Sequence, residues 1–220
     1  MTLTLEVAPD PSAAARLVAS LIGERARETV KQQGGFSLAL SKAPAEMLDA
    51  LASDDLPWSA ISIYQVDERV APAGHSDRNL TTLTGLLPPE AKSSLRPMPV
   101  DEPDLEAAAG RYAAELPEQL DLVHLGLGSD GHTASLIPAD PVLDVRDRPV
   151  AVTEEYQGRR RVTLTYPALD AAREIVWLVT GEDKRDALAR LLAGDTSIPA
   201  ARIANPRQLV VADEDAAPTV

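Results

Sequence analysis

The chain has 220 residues, a formal net charge of −13 and no cysteine. That length suits a single α/β domain, residues 1–220, with a substantial core, and the acidity argues against a nucleic-acid partner. Without thiols there are no disulfides, no thiolate catalysis and no cysteine-bound metal. No run of about 18 apolar residues is present to span a bilayer, and Met1 to Leu5 lacks the charged start and apolar centre of a secretory signal. The expectation is a cytoplasmic protein with no membrane partner. His75, His124 and His132 are too scattered to suggest a zinc site.

In chain order the sequence alternates strand and helix signals. Leu3 to Val7 reads as a strand, and Pro11 to Lys31, with Leu17, Leu21 and Ile22 among alanines, as a helix stopped by Gly34-Gly35. Phe36 to Leu40 is a second strand, followed by Ser41-Lys-Ala-Pro44 and a helix from Ala45 to Leu51. Ile61 to Val66 is a third strand that runs into Asp67-Glu68-Arg69. After a loop from Val70 to Ser76, Asp77 is placed to cap a helix reaching Leu86. Pro103 to Leu116 reads as helix and Leu122 to Leu125 as a fourth strand. Val150 to Thr153 and Arg161 to Thr165 read as strands around a turn at Gly158. A short helix, Pro167 to Arg173, precedes a strand, Glu174 to Thr180, and a helix, Glu182 to Leu192, entered at Gly181. Pro199 to Ile203 is a short segment, Gln208 to Ala212 a last strand, and Asp213 to Val220 a polar tail. Repeated βα units imply a three-layer α/β/α fold on a mostly parallel, Rossmann-like sheet.

The stretch Asp121 to Pro138, DLVHLGLGSDGHTASLIP, organises the rest. A buried strand empties into Gly126, Gly128 and Gly131, with Ser129, Asp130 and His132 among them. Glycines let backbone amides approach a ligand, and Thr133 to Leu136 is expected to begin a helix whose positive end favours an anion. The GxGxxG spacing also matches a dinucleotide fingerprint, but Pro138 and Pro141 leave no room for the long helix that such a site needs.

Parallel sheets gather ligand groups at the carboxyl ends of their strands. Four polar clusters fall there: Ser41-Lys42, Asp67-Glu68-Arg69, Ser129 to His132, and Thr180-Gly181 with Lys184 one turn into the next helix. They put cations, an imidazole and carboxylates on one rim. Lysine is confined to Lys31, Lys42, Lys92 and Lys184, so each one matters. His124 points from within its strand and reads as packing or a bridging hydrogen bond; His75 reads as part of a solvated loop.

The string LGLGSDGHTASLIP at 125–138, Val66-Asp-Glu-Arg69, Arg161-Val-Thr-Leu-Thr165 and Thr180-Gly-Glu-Asp-Lys184 together resemble the 6-phosphogluconolactonases, in matching order from about residue 10 to residue 215. The resemblance implies a fold like the glucosamine-6-phosphate deaminases and hydrolysis of 6-phosphogluconolactone in the oxidative pentose phosphate pathway, with no metal or organic cofactor. The partner it implies is a small sugar-phosphate lactone, and the chain is expected to act as a monomer or homodimer. The related deaminases share the Asp-Glu pair and the Asp-Gly-His turn but continue with phenylalanine, asparagine and glutamate, where this chain has Thr133-Ala-Ser-Leu136.

On this reading His132 is the base that activates water. The glycine-turn amides, including those of Gly128 and Gly131, or the Arg69 guanidinium stabilise the oxyanion; Arg69 alternatively forms a rim ion pair with Asp67 or Glu68. Asp67 orients His132 or binds sugar hydroxyls, and Asp130 acts in catalysis or merely forms the turn. The family likeness assigns the phosphate to Arg161 and Lys184. Two departures stand out. The family's Ser-Gly-Gly-Ser-Thr-Pro loop is shortened here to Ser41-Lys42-Ala43-Pro44, so either Lys42 replaces amide contacts or phosphate affinity falls. The usual Ser-Asn pair becomes Ser76-Asp-Arg-Asn79, leaving Arg78 as an extra contact and Asn79 as the counterpart. A non-catalytic sugar-phosphate-binding module on the same fold is the alternative outside enzymes.

Overall fold

The computed structural model describes residues 2–218; Met1, Thr219 and Val220, the last two belonging to the expected tail, lie outside them. The chain opens with β1 (Thr2–Ala8) and α1 (Pro11–Gln33). Asp10 caps α1 by accepting from the Ala13 amide at 2.7 Å, Pro11 supplies a preset first turn, and Gly34 at φ 82° closes the far end. Then come β2 (Phe36–Leu40), α2 (Ala45–Ser53), β3 (Ile61–Gln65), β4 (Asp67–Arg69), α3 (Asn79–Leu86) and α4 (Pro89–Ser93). The middle holds β5 (Leu95–Arg96), α5 (Leu105–Glu115), β6 (Leu122–Gly126), β7 (Val150–Val152) and β8 (Arg161–Leu164). The chain ends with α6 (Tyr166–Ala171), β9 (Ile175–Val179), α7 (Arg185–Leu192) and β10 (Arg207–Asp213).

Seven strands form one parallel sheet in the order β1-β10-β9-β6-β2-β3-β5. Period-2 alternation sends Val176 and Leu178 of β9 into one apolar cluster, beneath α1 and α2, and Ile175, Trp177 and Val179 into the other. Both faces are therefore covered, as expected of an α/β/α sandwich. From β2 the chain builds outward through β3 to β5. It then returns to β6 and builds the opposite way, which makes the β2–β6 boundary the switch point where a crevice opens above the strand ends. Among the described residues no helix is long and apolar enough to cross a membrane.

Several local expectations are corrected. Asp67-Glu68-Arg69 does not merely trail from β3; it forms β4, which pairs antiparallel with β8 in a separate sheet ordered β4-β8-β7. Asp77 does not cap α3. The cap residue is Arg78, with no side-chain cap bond, and the first helical amides, Asn79 and Leu80, instead donate at 2.8 Å to the two carboxylate oxygens of buried Glu68. No helix follows the glycine loop: Thr133 to Leu136 is a turn closed by the Leu136 amide on the Thr133 carbonyl at 2.8 Å, with Ala134 at φ 52°. Side chains compete with helix formation there, since Thr133 Oγ1 donates to the Gly126 carbonyl and Ser135 Oγ to Asp67. The segment after Gly181 starts as a 3₁₀ turn, Glu182–Lys184, so Lys184 sits at the mouth of α7 and not one turn inside it. The polar tail folds back in its described part, where Ala216 is buried and its amide donates to Asp213.

Candidate active site

A cavity of about 190 Å³ lies above the switch point, lined by Ser41, Lys42, Asp67, Arg69, Gly126, Leu127, Gly128, His132, Ala134 and Lys184. These residues come from the ends of β2, β6 and β9 and from β4, so the four polar clusters marked in the sequence each contribute to one cavity. A wider and more apolar cleft of about 430 Å³ adjoins it, sharing Lys42, Gly126, Leu127 and Lys184 and adding His124 and Thr180.

His132 projects from a loop that is folded on itself. The Gly128 amide donates to the His132 carbonyl at 2.8 Å, the Gly131 amide to the Gly128 carbonyl at 2.9 Å, and the His132 amide to Asp130 Oδ1 at 3.1 Å. The amides of Gly128 and Gly131 are thus engaged inside the loop, and a donor for a ligand has to come from elsewhere. The Gly128 position requires glycine because a Cβ there would overlap the His132 ring. Gly131, at φ 82°, packs where a Cβ would strike Ile198.

The imidazole Nδ1 lies 2.6 Å from Asp130 Oδ1. An ionised carboxylate only accepts, so Nδ1 is the donor in this pair and Nε2 is left for the cavity. Burial alone would raise the Asp130 carboxyl, but the hydrogen bonds from the His132 backbone and ring and from Tyr156 outweigh it and hold Asp130 below the usual range. Asp130, not Asp67, is the carboxylate hydrogen-bonded to His132. Tyr156, which the sequence reading did not single out, donates to Asp130 Oδ2 at 3.2 Å and presents its ring edge-on to His132, centroids 6.0 Å apart.

Asp67 is buried and faces the other wall. Its carboxylate accepts from Ser135 Oγ at 2.7 Å and from Asn79 Nδ2 at 3.1 Å, and Arg69 Nε stands 3.7 Å away. Asn79 is therefore a support for Asp67, fixed in turn by the hydrogen bond its backbone N–H donates to Glu68 Oε1. The antiparallel register places Arg69 opposite Arg161, two guanidiniums side by side. Like charges across a strand pair repel. Burial first, then Arg69, pulls Arg161 below its ordinary pKa, while Asp67 opposes the shift. Arg69 Nη1 donates to the Asp77 carbonyl at 2.9 Å, so Arg69 is held in place and has an ion-pair contact with Asp67 as well as a place on the cavity wall. Arg161, expected to contact the phosphate, is instead buried and off the cavity lining, its guanidinium 5.0 Å from the Tyr156 ring centroid and 3.5 Å from Ser135 Oγ. Lys184 lines both the cavity and the cleft and pairs with Asp183 at 2.7 Å.

The remaining candidates divide. Ser41 and exposed Lys42 line the cavity, and the Ser41 hydroxyl meets His124 Nδ1 at 3.3 Å. His124 is fully buried, which lowers its pKa to about 4 and keeps it neutral. Ser129 is exposed and off the lining. Arg78 is also off it: buried, it pairs with Asp101 at 2.8 Å and Glu68 at 3.5 Å and braces the rim. Glu68, buried and accepting from Gln65, Arg69, Asn79 and Leu80, is the structural knot beneath the site. Among the described residues no three His, Asp or Glu side chains converge as metal ligands.

The sheet-end cavity of this α/β fold thus brings together an oriented imidazole, a buried carboxylate and several cations. Residues 9–212 match the family described as Glucosamine-6-phosphate isomerases/6-phosphogluconolactonase, and the chain belongs to that family. A 6-phosphogluconolactonase of Nostoc sp. is 35% identical over 211 residues, 88% of this chain and 86% of the relative. A crystal structure of a 6-phosphogluconolactonase from Shewanella baltica superposes with a TM-score of 0.86 at 24% identity, covering 96% of this chain and 98% of that one. A monomeric glucosamine-6-phosphate deaminase shares the fold, with a TM-score of 0.84 at 17% identity, over 97% of this chain and 98% of that one.

Proposed function

We propose that the protein hydrolyses 6-phospho-D-glucono-1,5-lactone to 6-phospho-D-gluconate, the lactone step of the oxidative pentose phosphate pathway. The observation that carries this reading is the free Nε2 of His132, locked by Asp130 through Nδ1, on the wall of a cavity that also holds Arg69 and Lys184. His132 Nε2 takes a proton from water as the water oxygen attacks the lactone carbonyl. Negative charge gathers on the carbonyl oxygen, and Arg69, already fixed by its bond to the Asp77 carbonyl, is the preorganised donor for it. Collapse breaks the ring C–O bond, and the imidazolium returns its proton to the departing ring oxygen. Asp67, held by Ser135 and Asn79, accepts from sugar hydroxyls. Lys184, Lys42 and the Ser41 hydroxyl gather the phosphate at the β2 and β9 ends, and the buried Arg161, paired across the strands with Arg69, adds positive charge from off the lining.

The Nostoc relative, named as a 6-phosphogluconolactonase, supports this reading over deamination, as does the turn after His132, which lacks the family deaminases' phenylalanine, asparagine and glutamate. Turnover of 6-phosphogluconolactone and of glucosamine 6-phosphate, measured side by side with spontaneous lactone hydrolysis subtracted, tests it. Acceleration of the lactone alone is expected. Release of ammonia from the amino sugar would replace the reading with a deaminase, and binding without turnover of either would replace it with a sensing module.

A further inference from the structure

Thr153 to Arg160, the connection between β7 and β8, forms a hairpin whose tip, at Tyr156, meets the His132 loop. Tyr156 and Arg159 exchange backbone hydrogen bonds at 3.0 and 3.2 Å around Gln157 and Gly158, both at positive φ, the signature of a two-residue primed turn. That turn aims Tyr156 back at the site, and three contacts made by one side chain follow. Its hydroxyl donates to the Asp130 oxygen that His132 does not use. Its ring edge packs against the His132 imidazole. Its face lies under the Arg161 guanidinium, whose Nη2 also reaches Gln157 of the same tip at 3.4 Å.

We propose that Tyr156 is a positioning residue that couples the proton-transfer pair to the buried Arg161 guanidinium. Without Tyr156, the Asp130 carboxylate is held only at Oδ1, by the His132 amide and ring, and its free Oδ2 lets it turn about χ2 and weaken its hold on Nδ1. The phenol ties down Oδ2, so Oδ1 stays aimed at the imidazole and Nε2 stays aimed at the cavity. The same ring gives Arg161 an aromatic face where few acceptors exist, for its Nε has no hydrogen-bond partner among the described residues. Hydroxyl and ring therefore serve different steps: the first sets the base, the second the cation.

This inference rests on the lactonase reading for its kinetic arm, and a second arm is independent of substrate. Tyr156→Phe removes the hydroxyl and keeps the ring; Tyr156→Ala removes both. For Phe, kcat on the lactone is expected to fall about 5- to 10-fold with KM within about twofold, the loss of one bond to a charged acceptor. For Ala, kcat falls as far and KM rises as well, by about 3- to 10-fold, as Arg161 loses its aromatic face. Imidazole nitrogen NMR of the free protein, with His132 assigned by loss of its signal in His132→Asn, reports the tautomer. The native protein is expected to show His132 held as Nδ1–H, and Tyr156→Phe to show a mixture. Phe and Ala variants with native kinetics and an unchanged tautomer would overturn the proposal. So would equal losses in both variants that track only their melting temperatures. If no lactone turnover exists at all, the tautomer arm still decides the positioning claim by itself.

Discussion

His124 lies inside β6, fully buried, with Nδ1 on the Ser41 hydroxyl and Nε2 without a partner among the described residues. Burial lowers its pKa from 6.5 to about 4. The sign follows from proton counting: below 6.5 the unfolded chain protonates this imidazole while the native protein does not, so stability is lost as pH falls and the loss is complete once pH drops below about 4. The full gap of about 2.5 units corresponds to about 3 kcal/mol, and at pH ~5 about 2 kcal/mol has already gone. That is a sizeable share of a typical domain stability of about 5–15 kcal/mol. His124→Leu removes the titration and leaves an apolar side chain facing Leu122's cluster. Urea unfolding of both proteins at pH ~7.5 and pH ~5 isolates the contribution, because all other titrating groups are common. The native protein should lose about 2 kcal/mol more than the variant over that interval. Parallel losses would show that His124 is hydrated or charged in the fold and would refute its assignment as a neutral core imidazole.

Other substitutions probe the site from different sides. Gly128→Ala would push the His132 ring aside, so kcat should fall by about 10²-fold while far-ultraviolet circular dichroism stays native; retained activity would show that the loop yields without cost. Glu68→Gln leaves Arg78 and two helix amides short of a carboxylate, and a loss of about 3 kcal/mol, roughly 10 °C in melting temperature, is expected by calorimetry. Lys184→Ala should raise KM about 10-fold with kcat little changed, and hydrolysis of an unphosphorylated lactone should not feel the change; equal effects on both lactones would remove Lys184 from phosphate binding.

How much of this was legible in the sequence depends on range. The sheet strands announce themselves because burial on both faces leaves uninterrupted apolar runs such as Ile175 to Val179, and α1 because its caps, Asp10 and Gly34, are local. The convergence of Ser41, Asp67, His132 and Lys184 was readable too, since parallel strands deliver their ends to one edge. What escaped depends on contacts distant in the chain. Glu68 caps α3 from another element, so no local rule exposes it. The turn at Thr133 to Leu136 replaces a helix because Ser135 is claimed by Asp67, 68 residues away. The two short strands β5 and β4 are too brief to carry a period. Tyr156 left only a faint signal, an aromatic beside Gln157-Gly158 and five residues before Arg161, and its link to Asp130 is a matter of how the hairpin folds over.

The most direct measurement is single-turnover hydrolysis of 6-phosphogluconolactone by the native protein and by His132→Asn, with the uncatalysed rate subtracted. Proton abstraction by His132 Nε2 predicts a drop in rate of about 10²–10⁴-fold, with substrate affinity within about twofold. A variant that hydrolyses the lactone at the native rate would contradict the assignment of the base, and with it the roles given to Asp130 and Tyr156.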